Sequence, residues 1–131
     1  MDKSELKART KAFGLRVLKL VRHLPHETGA EVVGRQLIRS ALSVGANYRS
    51  ACRGRSRAEF LAKLGIVLEE ADESAHWLEI SIEDGMLPAA KVNALLAEAN
   101  ELTAIFFTAT ASARKPPLPK SSFLLSRCFS S

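Results

Sequence analysis

The chain has 131 residues, 47% of them hydrophobic and 25% charged, which supplies one packed domain and is too short for two. Its opening residues, MDKSELKARTK, lack the apolar stretch of a secretory signal, and no run reaches the roughly 18 apolar residues of a membrane span, so a cytoplasmic chain with no membrane contact is expected. The formal charge of +5 divides into +9 over residues 1–57, −7 over 58–114 and +3 over 115–131; such a chain attracts an acidic partner such as RNA or DNA, or a second copy of itself.

Apolar residues recur at helical spacing in four segments, and almost nothing alternates with the period of a strand, so the fold class is all-α. In the first, Leu6, Thr10, Phe13, Val17, Leu20 or Val21, and Leu24 form one stripe, and Pro25 closes it; the helix is expected over about 3–24. Thr28 and Glu31 have the spacing of a capping box at the start of the second. Its inward positions are Val33, Leu37, Ser40 or Ala41, Val44, Tyr48 and Ala51, and Gly54 offers a left-handed residue just past an end near Arg53.

Ser56 and Glu59 repeat the capping-box spacing, and Phe60, Leu64, Val67, Ala71, Ala75, Leu78 and Ile82 follow as the third stripe. Gly85 ends that helix and Pro88 suits the first turn of the next, where Val92, Leu95, Ala99, Leu102, Phe106 and Ala109 continue to about Arg114. Short connections force neighbouring helices antiparallel, which predicts an up-down-up-down four-helix bundle over 1–114. Residues 115–131, with Pro116, Pro117, Pro119 and a Ser-rich end, are expected to form a disordered tail.

Beside these stripes lie Ile38 and Leu42 on the second helix and Leu96 and Phe107 on the fourth. Apolar residues left outside a core mark contact sites, so homo-oligomerisation is expected.

Catalytic chemistry finds no foothold in the sequence, and no enzyme activity is expected. Glu73 and His76 have the Glu-x-x-His spacing of di-iron bundles, but no other helix repeats the pair and the second helix has no acid between Glu31 and Arg53. His23 and His26 flank a turn with only Glu27 near them, so no metal is assigned. Cys52 and Cys128 form neither a CxxC pair nor a zinc spacing, and Cys52 reads as a small packing residue. GxGxxG and GxxxxGK are both absent, so no cofactor is expected.

The feature with binding chemistry is a basic corner. Arg49, Arg53, Arg55 and Arg57 crowd the end of the second helix and the turn at Gly54, with Arg35 and Arg39 further up the same helix. Guanidinium groups pair with phosphate oxygens, which makes these residues candidate nucleic-acid contacts. The competing structural role is that Arg53 caps its helix and the others pair with acids of the third. Small residues Ser40, Ala41, Ser43, Gly45 and Ala46 allow close helix approach. Asn47 is placed to hydrogen-bond across that contact, and Trp77 to anchor a helix contact with its indole N–H partnered.

The pairs Gln36-Leu37, Arg39-Ser40-Ala41, Ser43-Val44 and Ala46-Asn47, then Arg57 with Glu59-Phe60, Lys63-Leu64, Glu69-Glu70, Glu73-Ser74 and Trp77-Leu78, carry a family likeness. In combination they resemble the bacterial four-helix-bundle proteins encoded by intervening sequences of large-subunit ribosomal RNA genes. Weaker similarity extends over about 8–110. The resemblance implies relatives that are accessory proteins to the reverse transcriptases of diversity-generating retroelements, with a homopentameric ring and a basic surface that meets nucleic acid and polymerase. By that likeness this chain is expected to be a homopentamer binding RNA or an RNA–protein assembly, or else an adaptor to a reverse transcriptase with no direct nucleic-acid contact.

Overall fold

The computed structural model describes residues 1–114, and the expected tail at 115–131 lies outside them. Within that span the chain forms α1 (Lys3–Val21), α2 (Thr28–Cys52), α3 (Arg57–Glu83) and α4 (Ala89–Arg114), with no strand among the described residues. α2 packs on α1 and α3, α3 on α4, and α1 closes against α4, while the diagonal helix backbones stay apart and meet only through side chains such as the Tyr48 and Phe106 rings. This is the expected up-down-up-down bundle.

The helix starts are fixed by side chains that satisfy otherwise orphaned amides. Asp2 Oδ1 accepts from the Glu5 N–H at 2.8 Å to open α1. α1 stops at Val21, three residues before the expected end, because the chain tightens there: His23 N–H donates to Leu20 O and Leu24 N–H to Val21 O, and Leu24 precedes Pro25, a position that disfavours helix.

At α2 the expected Thr28–Glu31 capping box does not form. Glu27 is the cap, extended at φ −146°, with its Oε1 accepting from Ala30 N–H at 3.1 Å and its carbonyl from Glu31 N–H at 2.9 Å. At α3 Ser56 Oγ accepts from Glu59 N–H at 3.1 Å as expected, but the Glu59 carboxylate returns to the Arg55 N–H at 2.8 Å, one residue before Ser56.

Gly54 is not left-handed, contrary to expectation; the α2–α3 connection closes through Gly54 N–H to Ala51 O at 3.0 Å. Among the described residues Gly85 alone has positive φ, +73°, and it ends α3 with Met86 and Leu87 N–H both donating to Ser81 O.

The expected stripes meet in a single core. Phe13, Leu37, Leu64, Leu78, Leu102 and Phe106 are its largest fully buried side chains, each stabilising by about 1.5–3 kcal/mol on burial. Phe60, Ile82 and Ala109 sit at its margin, half-buried. Buried hydroxyls are satisfied: Thr10 donates to Leu6 O at 2.9 Å, Ser81 to Leu78 O at 2.7 Å and Thr110 to Phe106 O at 2.7 Å. Across α2 and α3, Ser40 Oγ and Ser74 Oγ lie 3.0 Å apart, a contact that only side chains this small permit.

α1 and α2 approach closely at two glycines. A Cβ on Gly45 would stand 3.3 Å from the Thr10 carbonyl oxygen, and one on Gly14 would stand 3.1 Å from Leu42 Cδ2.

Candidate nucleic-acid interface

The six arginines singled out from the sequence do not form one patch. Arg53 is the C-cap of α2, Arg55 lies in the following turn and both are exposed. With Ser50, Gly54, Glu59, Ala62, Lys63 and Ile66 they line a concavity of about 400 Å³ at the α2–α3 corner. Lys63 belongs to this group and was not among the sequence candidates. Its signal was available: it follows Ser56 by two turns of α3, on the side of the helix that starts at the basic turn.

Arg57 opens α3 but turns toward α4, where its Nη2 donates to the Ala113 carbonyl. A cation there meets the negative end of the α4 dipole. Arg49 lies on another side of α2, lining the outer α1–α2 groove with Lys7 and Lys11.

Arg35 is far from the corner, eighteen residues or about 27 Å of helix rise from Arg53. It lines a cleft with Val21, Arg22, Leu24 and Ile38.

Arg39 has the competing structural role foreseen for the arginines. Its Nη2 lies 2.5 Å from Glu73 Oε1 and its Nη1 3.3 Å from Glu70 Oε2, and its Nε donates to Gln36 Oε1 at 3.2 Å. The Glu73 hydrogen bond raises the Arg39 guanidinium above its ordinary range. The same bond, with help from the indole of Trp77, holds the Glu73 carboxyl below its usual range, while burial pushes Glu70 up against the opposing pull of Arg39.

Arg49, Arg53 and Arg55 carry no such partner: among the described residues no carboxylate lies within ion-pairing distance of their guanidinium groups. Arg9, by contrast, is clamped by Glu98 at 2.6 Å and Glu101 at 3.0 Å and ties α1 to α4. The bundle therefore uses Arg9 and Arg39 as interhelical ties, whereas at the Arg53–Arg55–Lys63 corner the Glu59 carboxylate is taken up by the Arg55 backbone N–H and the guanidinium groups are left for phosphate oxygens to meet.

The other structural candidates divide. Trp77 is half-buried and its Nε1 donates to Glu73 Oε1 at 3.4 Å, so the indole has the partner expected of it. Asn47 does not bond across helices; its Nδ2 donates to Ser43 O at 2.9 Å, one turn back on α2. The interhelical polar contact is made instead by Ser40 with Ser74. Cys52 is half-buried against the core. No group of three His, Cys, Asp or Glu able to hold a metal occurs among the described residues, and no described helix is long and apolar enough to cross a membrane.

Comparison with known proteins bears on the whole bundle. A solved structure described as a protein of unknown function from the S23 ribosomal protein family of Bacteroides thetaiotaomicron VPI-5482 shares 30% identity and superposes with a TM-score of 0.77, covering 85% of this chain and 99% of that one. No curated protein sequence matches. The model of the 23S rRNA-intervening sequence proteins matches residues 2–107, which spans α1 to α3 and most of α4, and the chain belongs to that family.

Proposed function

We propose that this protein is a non-enzymatic, homo-oligomeric helical bundle, pentameric as the family likeness implies, that binds structured RNA through the α2–α3 corner. The observation that carries the reading is the contrast among the arginines. Arg9 and Arg39 are neutralised by carboxylates inside the bundle, whereas Arg53 and Arg55 stand exposed beside Lys63 with no carboxylate on their guanidinium groups among the described residues. Unneutralised cations at a turn release counterions when they meet a phosphate backbone, and that release drives nucleic-acid binding at low salt. The description of the family names 23S rRNA, which makes structured RNA the first probe.

The test is binding of the purified protein to a labelled structured RNA and to duplex DNA across a salt series. RNA affinity that falls linearly in log salt, and that is lost in the combined variant Arg53→Ala, Arg55→Ala, Lys63→Ala with helicity intact, supports the assignment. Equal affinity in the variant overturns the site.

A second reading is favoured by the bonds of Arg39 and Arg57, which commit both to contacts within the chain. It makes the protein an adaptor, with a reverse transcriptase as its partner, in which the basic residues serve the fold and assembly. No RNA or DNA binding even at low salt decides for it.

A further inference from the structure

Two opposite edges of the bundle are shaped for each other. The helix backbones approach one another in the order α1–α2–α3–α4–α1 and not across the diagonals, so the α1–α2 edge and the α3–α4 edge face opposite ways.

The α1–α2 edge carries an outer groove of about 570 Å³, floored by Gly14, Ala41, Gly45 and Ala46. Leu15 and Leu42 are its exposed apolar walls, 52% and 44% accessible, and Lys7, Lys11 and Arg49 its rim.

The α3–α4 edge carries the complement. Phe107 is 65% exposed, the most exposed large apolar side chain after Met1 among the described residues. It follows Glu98 by two and a half turns, so it points away from the flank on which Glu98 grips Arg9 of α1. On α3, Glu79 follows Glu70 by the same two and a half turns, away from the flank that pairs with Arg39 of α2; exposed Asp72 lies two turns before Glu79 on that outer flank.

The heights along the bundle agree. Lys3 Nζ lies over the Phe60 ring and Arg57 reaches the Ala113 carbonyl, so the start of α1, the end of α2, the start of α3 and the end of α4 lie at one end. Measured from that end by helix rise, the groove extends over about 5–18 Å and Phe107 sits at about 10 Å. Asp72 and Glu79 lie at about 22 and 33 Å, against Arg35 and Arg22 of the other edge at about 26 and 28 Å. A knob, a hole and opposite charges therefore occur at matching heights on opposite edges. That is the condition for head-to-tail contacts that close into a ring without climbing along the axis.

We infer that the α1–α2 groove is the docking site for Phe107 of a second copy of this chain, with Arg22 and Arg35 facing Asp72 and Glu79 across the same interface. The assignment rests on the homo-oligomer reading above and gives it a geometry. It places Arg35 in assembly, apart from the RNA-facing corner.

The experiment is native mass by light scattering on the full chain and two variants. Phe107→Lys replaces the exposed knob by a cation facing Lys7, Lys11 and Arg49. Ala46→Arg puts a guanidinium in the groove floor that docking would have to desolvate. Both positions are exposed, so helicity by circular dichroism is expected to hold. The wild-type chain is expected to be oligomeric and each variant monomeric. An equimolar mixture of the two is expected to form a 1:1 heterodimer and nothing larger, because each variant retains one working edge. A monomeric wild-type chain overturns the homo-oligomer reading itself. An oligomeric wild-type chain with unchanged mass in Phe107→Lys, or a variant mixture that stays monomeric, overturns this interface alone.

Discussion

Arg39 on α2 and Glu73 on α3 are joined by a hydrogen-bonded ion pair of 2.5 Å, and Glu73 also accepts from the indole of Trp77 on its own helix. The pair sits beside the Ser40–Ser74 contact, so this stretch of the α2–α3 seam combines small buried hydroxyls with a charged tie at its edge. Arg39, which reads from the sequence as a binding candidate, and Trp77, which reads as a helix anchor, thus meet on Glu73 in one structural unit. Arg39 acts as a clasp there because its register on α2 faces acids one turn apart on α3.

The clasp predicts opposite pH responses for neighbouring carboxylates. Glu73 is held below its ordinary range, first by its bond to Arg39, so its ionised form stabilises the fold. That contribution is present above the unfolded carboxylate range, near pH 4.3, and is lost as pH falls through the lower folded value. Glu70 is pushed up, first by burial, so its ionisation above that range opposes folding. Glu73→Gln is therefore expected to lower Tm at pH 7, with the gap to the wild-type chain closing below about pH 4. Glu70→Gln is expected to gain on the wild-type chain as pH rises from 4 to 7. Thermal unfolding of both variants from pH 3 to 7 checks it, and parallel pH profiles would contradict the assigned shifts.

The core was legible in the sequence because burial is periodic along a helix: Phe13, Leu37, Val67, Leu78 and Phe106 announce themselves by spacing, and all are buried. The cap at Glu27 was not legible, since its long side chain is a poor local competitor beside Thr28 and only the path of the preceding turn puts its carboxylate on the Ala30 amide. The division of the arginines was hidden for a different reason. Whether Arg39 or Arg53 meets an acid depends on the axial register of α2 against α3, which places residues 31 and 34 positions apart in contact. Lys63 joins the basic corner through the same register, and Asn47, expected to bond across the seam, donates instead to the Ser43 carbonyl one turn back on its own helix.

Two helical glycines are expected to respond in opposite directions. Gly45 lies against the backbone of α1, and a leucine there must push Thr10 and Lys11 away, at a cost of about 1–3 kcal/mol. Gly65 on α3 has nothing within 4 Å of where its Cβ would stand, so Gly65→Ala removes chain entropy from the unfolded state and adds about 0.5–1 kcal/mol of stability. Urea unfolding of the two variants reads both signs.

Adjacent phenylalanines provide a second contrast. Phe106 is fully buried, with its ring 5.3 Å from that of Tyr48, and Phe106→Ala is expected to cost about 3–5 kcal/mol. Phe107 is outside the core, so Phe107→Ala is expected to change the stability of the isolated chain by no more than about 0.5 kcal/mol. Unfolding at a concentration low enough to dissociate any assembly separates the two. A large loss in Phe107→Ala under that condition would assign Phe107 to the fold and remove it from the surface.

The division of the arginines makes a last, quantitative prediction for RNA binding. Each cation that neutralises a phosphate contributes about 0.7–0.9 to the slope of log affinity against log salt. Replacing Arg53, Arg55 and Lys63 together is therefore expected to flatten that slope by roughly 2–3, with little change in Tm, because none of the three forms an ion pair among the described residues. Arg39→Ala is expected to behave the other way, leaving the slope unchanged and lowering Tm, since its guanidinium is already committed to Glu70 and Glu73. Measuring slope and Tm on the same preparations decides between a binding corner and a basic surface that only holds helices together. If Arg39→Ala flattened the slope as much as the corner substitutions, the clasp would have to open on RNA, and the separation of structural from binding arginines would fail.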